Sequence, residues 1–258
     1  MRGNLGREVA SLLKRCAYAL LYLRPLIGVI YLPRFLRDLY AYRKISRNEK
    51  IGLMDMYPCL LDKVTKTPFD AHYFYQGAWL ARKVADFKPK QHVDIGSSVM
   101  TIGVLSGFVE TTFVDYRPLK VQLPGLACRG GDISQLPFES GSVESLSCLH
   151  VIEHIGLGRY GDPIDPEGSR KAANELARVV APGGRLYLTV PVGRARVCFN
   201  AHRVFAPQEI LNMFPGFCLA DFSWVDDAGH FHVSGKPEDA AVEEYACGLY
   251  EFVGNLNV

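Results

Sequence analysis

The sequence has no C-x-x-C pair, no visible internal repeat, no low-complexity run and no uninterrupted stretch of apolar residues long enough to span a membrane. Each absence removes a class. Without C-x-x-C, the seven cysteines at 16, 59, 128, 148, 198, 218 and 247 propose neither a zinc knuckle nor a thioredoxin-like motif. An odd, scattered set reads as buried thiols in a reducing compartment. A span needs about 20 apolar residues. The most apolar region, "REVASLLKRCAYALLYLRPLIGVIYLPRFLRDLY", is broken by Arg24-Pro25 and closed by Pro33. A charge at mid-bilayer costs roughly 2.5–3.5 kcal/mol. No small-residue cleavage site follows, so a secretory signal is not expected either.

What is present is a globular composition, 48% hydrophobic and 22% charged, with the charge unevenly placed. Residues 1–50 hold 11 Lys/Arg and 3 Asp/Glu; of 29 and 27 in the chain, 18 basic and 24 acidic residues remain for the body. A basic arm over residues 1–60 is therefore expected to precede a mildly acidic domain over 61–258. Residues 8–23 fit a helix, with Val9, Leu12, Leu13, Cys16, Leu20 and Leu21 on one side and Ser11, Lys14, Arg15, Tyr18 and Tyr22 on the other. Such a helix can lie in a membrane interface with its cations toward anionic lipid, or pack on a partner or on its own domain; a true span is the third reading. The expected location is cytoplasmic, with peripheral membrane contact through residues 8–50. Nucleic acid is not the expected partner, because the positive charge is mixed with Leu and Ile and lies away from the functional rim. Oligomeric state is left open.

The body alternates. "FDAHYFYQGAWLARKVADF" is helical, "HVDI" a strand, "MTIGVLSGF" a helix, and "TTFVDY", "GLACRG" and "VESLSCLHV" further strands. "SRKAANELARVV" is a helix, "RLYLTVPV" a central strand, "PQEILNMF" a helix, and "GFCLADFSWV" and "CGLYEFV" the last two strands. This order predicts right-handed β-α-β units and an α/β, doubly wound, mostly parallel seven-stranded sheet with an N-terminal helical arm. Ligands of such sheets sit beyond the carboxyl ends of the strands, at the switch point. That rim gathers Asp94–Ser98, Asp115, Asp132 and His150–His154.

In "HVDIGSSVMTIG", Gly96 allows a tight turn and a close approach of cofactor to backbone. Ser97 or Ser98 caps the following helix. Asp115 ends the second strand 21 residues after Asp94, a separation suited to holding ribose hydroxyls. The dinucleotide fingerprint fails here, because Ser98 and Thr101 replace its second and third glycines.

These motifs resemble class I S-adenosylmethionine-dependent methyltransferases, over about residues 90–253. "DIGSS" matches the end of that family's first strand, with Ser98 for the second glycine. The resemblance implies that Asp94, Gly96, Ser97 and His150 belong to the S-adenosylmethionine site, that Asp115 holds the ribose, and that Asp132 with Ile133, in "GDISQLPF", reaches the adenine. "CLHVIEHI" and "LARVVAPGGRLYLTVP" are similar to the later signatures. A narrower resemblance, through "HYFYQG", "HVIEHIGLGRYGDPIDPEG" and "VPVGRARVCFNAHRVF", is to a methyltransferase-like group catalogued as a domain of unknown function, found in surface-polysaccharide settings. It implies O-methylation of a saccharide or small hydroxyl compound; a non-catalytic scaffold that keeps the fold is the alternative.

Methyl transfer needs a positioned nucleophile and, for a hydroxyl, a proton acceptor. His150, Glu153 and His154 form H-x-x-E-H after the fourth strand, and would share a face if residues 151–155 were helical. His202 follows the fifth strand. Three readings stay open. His154 or His202 is a general base with Glu153 fixing its tautomer; the groups only buttress the loop; or His150, Glu153, His154 and His202 chelate a cation. No metal ligand is assigned. Arg159, Arg194 and Tyr160 are candidates to face the acceptor, while His72, His92, His230 and His232 are read as structural or surface residues.

Overall fold

The computed structural model describes residues 28–46 and 48–255. The chain divides into two compact units, at Pro68/Phe69. The helix expected over residues 8–23 lies outside the described residues.

In the first unit, helix α1 spans Leu32–Ile45, and none of its residues is buried. Pro33, expected to close an apolar stretch, stands in the first turn of this helix, just after a turn at residues 30–31. In the first turn the missing N–H costs nothing, and the fixed φ suits the helix. Arg43 and Lys44 occupy the last turn, where the helix dipole favours cations. Leu36, Tyr40 and Ile45 are exposed on it.

The second unit opens with α2, Ala71–Phe87, whose N-cap Asp70 accepts the Tyr73 N–H. Gln76, Trp79, Leu80 and Val84 form its buried stripe. Then follow β1 (Gln91–Ile95), α3 (Val99–Leu105), β2 (Glu110–Asp115), β3 (Leu126–Gly130) and β4 (Val143–Leu149). A 3-10 turn at Ile152–His154 leads to α4 (Gly168–Val179) and β5 (Val180–Val192). The rest is a hairpin of β6 (Arg196–Cys198) and β7 (His202–Val204), α5 (Pro207–Met213), β8 (Phe217–Val225), β9 (Phe231–His232) and β10 (Ala246–Gly254).

The sheet runs β3-β2-β1-β4-β5-β10-β8-β9. It has eight strands where seven were expected, because the two-residue β9 adds an edge that has too few residues to show period-2 alternation. The first five positions are parallel, and β10 runs antiparallel between β5 and β8. Leu186, Tyr187, Leu188, Val190 and Val192 of β5 are all fully buried, as a central strand covered on both faces requires. Each such apolar side chain contributes about 1.5–3 kcal/mol by burial. On one face lie Ala172, Ala173, Leu176 and Val179 of α4. On the other lie Trp79, Leu80 and Val84 of α2 with Ile102 and Leu105 of α3. Strand order reverses between β1 and β4, so the crevice sits above these two strands.

Among the described cysteines all are free; Cys148 and Cys247 are buried, and Cys59 and Cys218 are exposed. The expectation of uniformly buried thiols is thus corrected: Cys218 lies on an outer strand and Cys59 in the first unit. No described helix is long and apolar enough to cross a membrane.

Candidate functional site

A cavity of about 520 Å³ opens at the switch point. Gly96, Ser97, Ser98, Asp115, Asp132, Ile133, His150 and His154 all line it, joined by Tyr73 and Tyr160. The β-strand ends thus bring together residues that the sequence spreads over dozens of positions.

Gly96 adopts φ +67°, and a Cβ there would lie 3.3 Å from both Val151 methyls and 3.7 Å from Asp115 Oδ2. Only glycine sits in that conformation without strain. Ser98, by contrast, has φ −61° and ψ 125°, an ordinary extended backbone. The second glycine of the motif is dispensable here because nothing in the turn requires a left-handed residue at that position. Ser98 precedes α3 but caps it with no side-chain bond. Ser97 is committed elsewhere: its O–H donates to Asp94 Oδ2 at 2.7 Å, its N–H to Asp94 Oδ1 at 3.0 Å, and its Oγ accepts the Leu149 N–H.

Asp94 is fully buried and does not line the cavity. Its carboxylate faces inward, holding Ser97 and the Ser147 hydroxyl. Burial pushes its pKa up to about 6 against these hydrogen bonds. Asp94 therefore ties β1 to β4 and shapes the turn from beneath. Ser147 spends its one proton on Asp94, so it accepts from His92 Nε2–H at 2.8 Å, and His92 Nδ1 accepts from Ser145 at 2.8 Å. Burial lowers the His92 pKa to about 3. His92 is structural, as read from the sequence.

Asp115 points at the cavity and fixes the next turn by accepting the Arg117 N–H at 2.7 Å. Asp132 makes a similar turn, accepting from the Ser134 N–H and O–H. Both keep a second oxygen for a ligand.

Past β4 the chain does not enter an α-helix. His150 takes φ +55°, and Ile152–His154 is a 3-10 turn. Even so, His150 Nδ1 lies 2.7 Å from Glu153 Oε1, and His154 Nε2 lies 3.8 Å from the same oxygen. Glu153 is fully buried, and its Oε2 has no partner. Burial disfavours the His150 imidazolium, but Cys247 and the Glu153 carboxylate outweigh it and hold the pKa well above the ordinary value.

His154 Nδ1 lies 2.6 Å from the Ala201 carbonyl, which can only accept. The proton therefore sits on Nδ1, and Nε2 carries the lone pair. Burial lowers the His154 pKa despite Glu153. His202 does not line the cavity; its ring lies 6.5 Å from that of His154 and 4.9 Å from that of Tyr245. Burial and the neighbouring His154 lower its pKa also.

The glycine-rich insert is built rather than slack. Asp162 accepts the N–H groups of Gly156, Gly158 and Tyr160. Gly156 has φ +81° and no room for a Cβ against the Asp165 carbonyl. Arg203, only 8% exposed, donates to the Ile155 carbonyl at 2.6 Å and to Ser169 Oγ at 2.9 Å. Tyr160 lies between Arg117 at 4.7 Å and Arg159 at 5.0 Å. Arg194 is paired with Glu244 at the surface and does not face the cavity.

No local pattern singles out Arg203, His72 or Cys247 as functional residues. His72 stacks on His150, and Cys247 Sγ lies 3.3 Å from His150 Nε2. Burial and the charge of His150 lower the His72 pKa to about 4.

The N-methyltransferase NodS of Bradyrhizobium japonicum, solved with S-adenosyl-L-homocysteine, superposes with a TM-score of 0.52 at 15% identity, covering 76% of this chain and 91% of its own. The fold is that of the class I S-adenosylmethionine-dependent methyltransferases. YcgJ of Bacillus subtilis matches with a TM-score of 0.51 at 13% identity, over 70% of this chain and 99% of its own. The [4+2]-cyclase SpnF matches at 0.51 and 12%, over 71% and 82%. The methyltransferase fold thus also appears in a cyclase, and the site must carry any functional argument. Residues 139–239 match the family described as Caenorhabditis protein of unknown function, DUF268. No curated protein sequence matches the chain.

Proposed function

We propose that this chain transfers a methyl group from S-adenosylmethionine to a hydroxyl of a saccharide or another small hydroxyl compound. The observation that carries the reading is the meeting of Gly96, Asp115 and His154 on one cavity wall. Gly96 would let the cofactor approach the backbone, Asp115 would accept from the ribose hydroxyls, and Asp132 with Ile133 would meet the adenine. S-adenosylmethionine, when bound, supplies an activated methyl on a sulfonium. The chain's own task is then to hold the acceptor in line and remove its proton. His154 suits that task, because its free Nε2 and lowered pKa keep it a neutral acceptor at physiological pH. His202, outside the cavity lining with its ring 6.5 Å from that of His154, is the weaker candidate for the base. Tyr73 offers an aromatic face for a sugar ring, while the guanidinium groups of Arg117 and Arg159 occupy Tyr160. Asp94, Ser97 and His150 act by shaping this wall.

The reading of a peripheral membrane protein on the cytoplasmic face is supported by exposed Leu36, Tyr40 and Ile45 beside Arg37, Arg43 and Lys44 on α1. Sedimentation with vesicles containing anionic lipid, compared with neutral vesicles, tests it; equal recovery in both supernatants would remove it.

Calorimetry with S-adenosylhomocysteine, followed by transfer of labelled methyl to a panel of saccharides, tests the principal reading. No binding would leave a scaffold that only keeps the fold.

A further inference from the structure

We propose that His72, His150 and Cys247 form a binding site for a divalent transition metal of the zinc class, at the edge of the cavity. The three come from the first turn of α2, the end of β4 and the start of β10, and each offers a ligand atom within 4.8 Å of the other two. Two imidazoles and a thiol select zinc or its neighbours over magnesium or calcium, which prefer oxygen.

The orientation of His150 is the second, independent observation. Its Nδ1 is held by Glu153 Oε1 at 2.7 Å, while Nε2 faces Cys247 Sγ at 3.3 Å. A carboxylate behind an imidazole fixes the tautomer and the ring plane, the usual support of a metal-bound histidine. Glu153 is fully buried, so this support is not shared with solvent. His72 is stacked between His150, at 5.6 Å, and Tyr245, at 5.3 Å, which limits its ring to few positions.

Around a tetrahedral zinc, bonds of about 2.0–2.3 Å place ligand atoms roughly 3.3–3.8 Å apart. The His150–Cys247 pair already meets that spacing. His72, only part-buried on a first helical turn, has to close by about an ångström. Metal binding would expel the proton held between Nε2 and Sγ. Three protein ligands leave the fourth position open, the pattern of catalytic rather than structural zinc. His150 also lines the cavity, so a metal held by these three residues would lie beside the space for an incoming hydroxyl or water. A bound hydroxyl loses its proton more readily. That last role rests on the methyl-transfer reading; the metal site itself does not.

The test uses the full chain, reduced, stripped with a chelator and titrated with Co(II) and then Zn(II), without cofactor. About one Co(II) should bind per chain, with a thiolate-to-cobalt charge-transfer band and tetrahedral visible bands, and zinc should displace it. Cys247→Ser should lose the charge-transfer band. His72→Ala, at a part-exposed position that leaves the core intact, should bind cobalt at least about tenfold more weakly. Circular dichroism and thermal melting check both variants; if Cys247→Ser does not fold, His72→Ala decides. Absence of the band in the wild type, or unchanged affinity in His72→Ala, overturns the site. So does loss of cobalt in His202→Ala with retention in His72→Ala. A chain that binds metal but not S-adenosylhomocysteine keeps this site and removes the methyltransferase reading; the converse removes only the site.

Discussion

Nδ1 of His150 and Oε1 of Glu153 are 2.7 Å apart inside the wall of the cavity, closed on each other by a left-handed residue and a 3-10 turn. Breaking a buried pair by removing one partner costs about 3–5 kcal/mol. Glu153→Ala should therefore lower unfolding stability by about that amount, read from urea melts at neutral pH. The unpartnered Oε2 tempers the loss in Glu153→Gln, which keeps the packing and one acceptor. Equal melts for Glu153→Ala and wild type would show that the pair does not hold the turn.

Asp115→Ala should weaken S-adenosylhomocysteine binding by about 1.5–3 kcal/mol, the value of hydrogen bonds to a charged group. Calorimetry reads it directly. Unchanged affinity would take Asp115 out of the site.

At Gly96 a side chain is excluded by the φ of +67° and by Val151 and Asp115, before any cofactor arrives. Gly96→Val should abolish cofactor binding and lower the melting temperature as well, with Gly96→Ala intermediate in both. A variant that melts normally and binds normally would show that the turn is not the cradle.

His154→Ala should lose kcat by about 10²–10⁴-fold with cofactor affinity kept. His202→Ala, outside the cavity, should change the rate far less. The rate should also rise with pH through a value below the ordinary histidine pKa of about 6.5, because burial lowers that of His154. Wild-type turnover in His154→Ala would leave positioning alone to account for catalysis.

His92 sets the response to acid. Its pKa falls from 6.5 to about 3 on folding, so between these values the unfolded chain holds the extra proton and stability drops as pH falls. The full effect is on the order of 3–5 kcal/mol. Asp94 acts oppositely: its pKa rises from 3.8 to about 6, so the stability it adds is complete below 3.8 and is lost as pH rises through 6. Between 3.8 and 6 the two slopes cancel, one proton each way, and His92 acts alone of the pair above 6 and below 3.8. In urea melts from pH 6.5 to 3, His92→Asn should therefore lose less stability on acidification than the wild type does. Parallel slopes would contradict the assignment.

Much of the sheet was legible because each strand and helix carries its own period: Trp79, Leu80 and Val84 mark α2, and the unbroken apolar run of β5 marks a central strand. Gly96 and Asp115 were legible because local turn chemistry and a fixed separation reveal them. Asp94 was read as a ligand contact, yet its carboxylate turns inward; the direction of a side chain on a strand end depends on Ser147 of the neighbouring strand, which no local pattern contains. His72 and Cys247 were invisible for the same reason, since β10 enters the sheet between β5 and β8.

The strand that carries Cys247 follows both of its sheet neighbours in the chain. A nascent chain that has delivered β5 and β8 but not residues 246–254 has two strand edges facing an empty slot. The sheet is completed only when β10 enters between its neighbours and sets the thiol against His150. Until that step the chain would have to be kept from other strands, and the cluster of His72, His150 and Cys247 could not form.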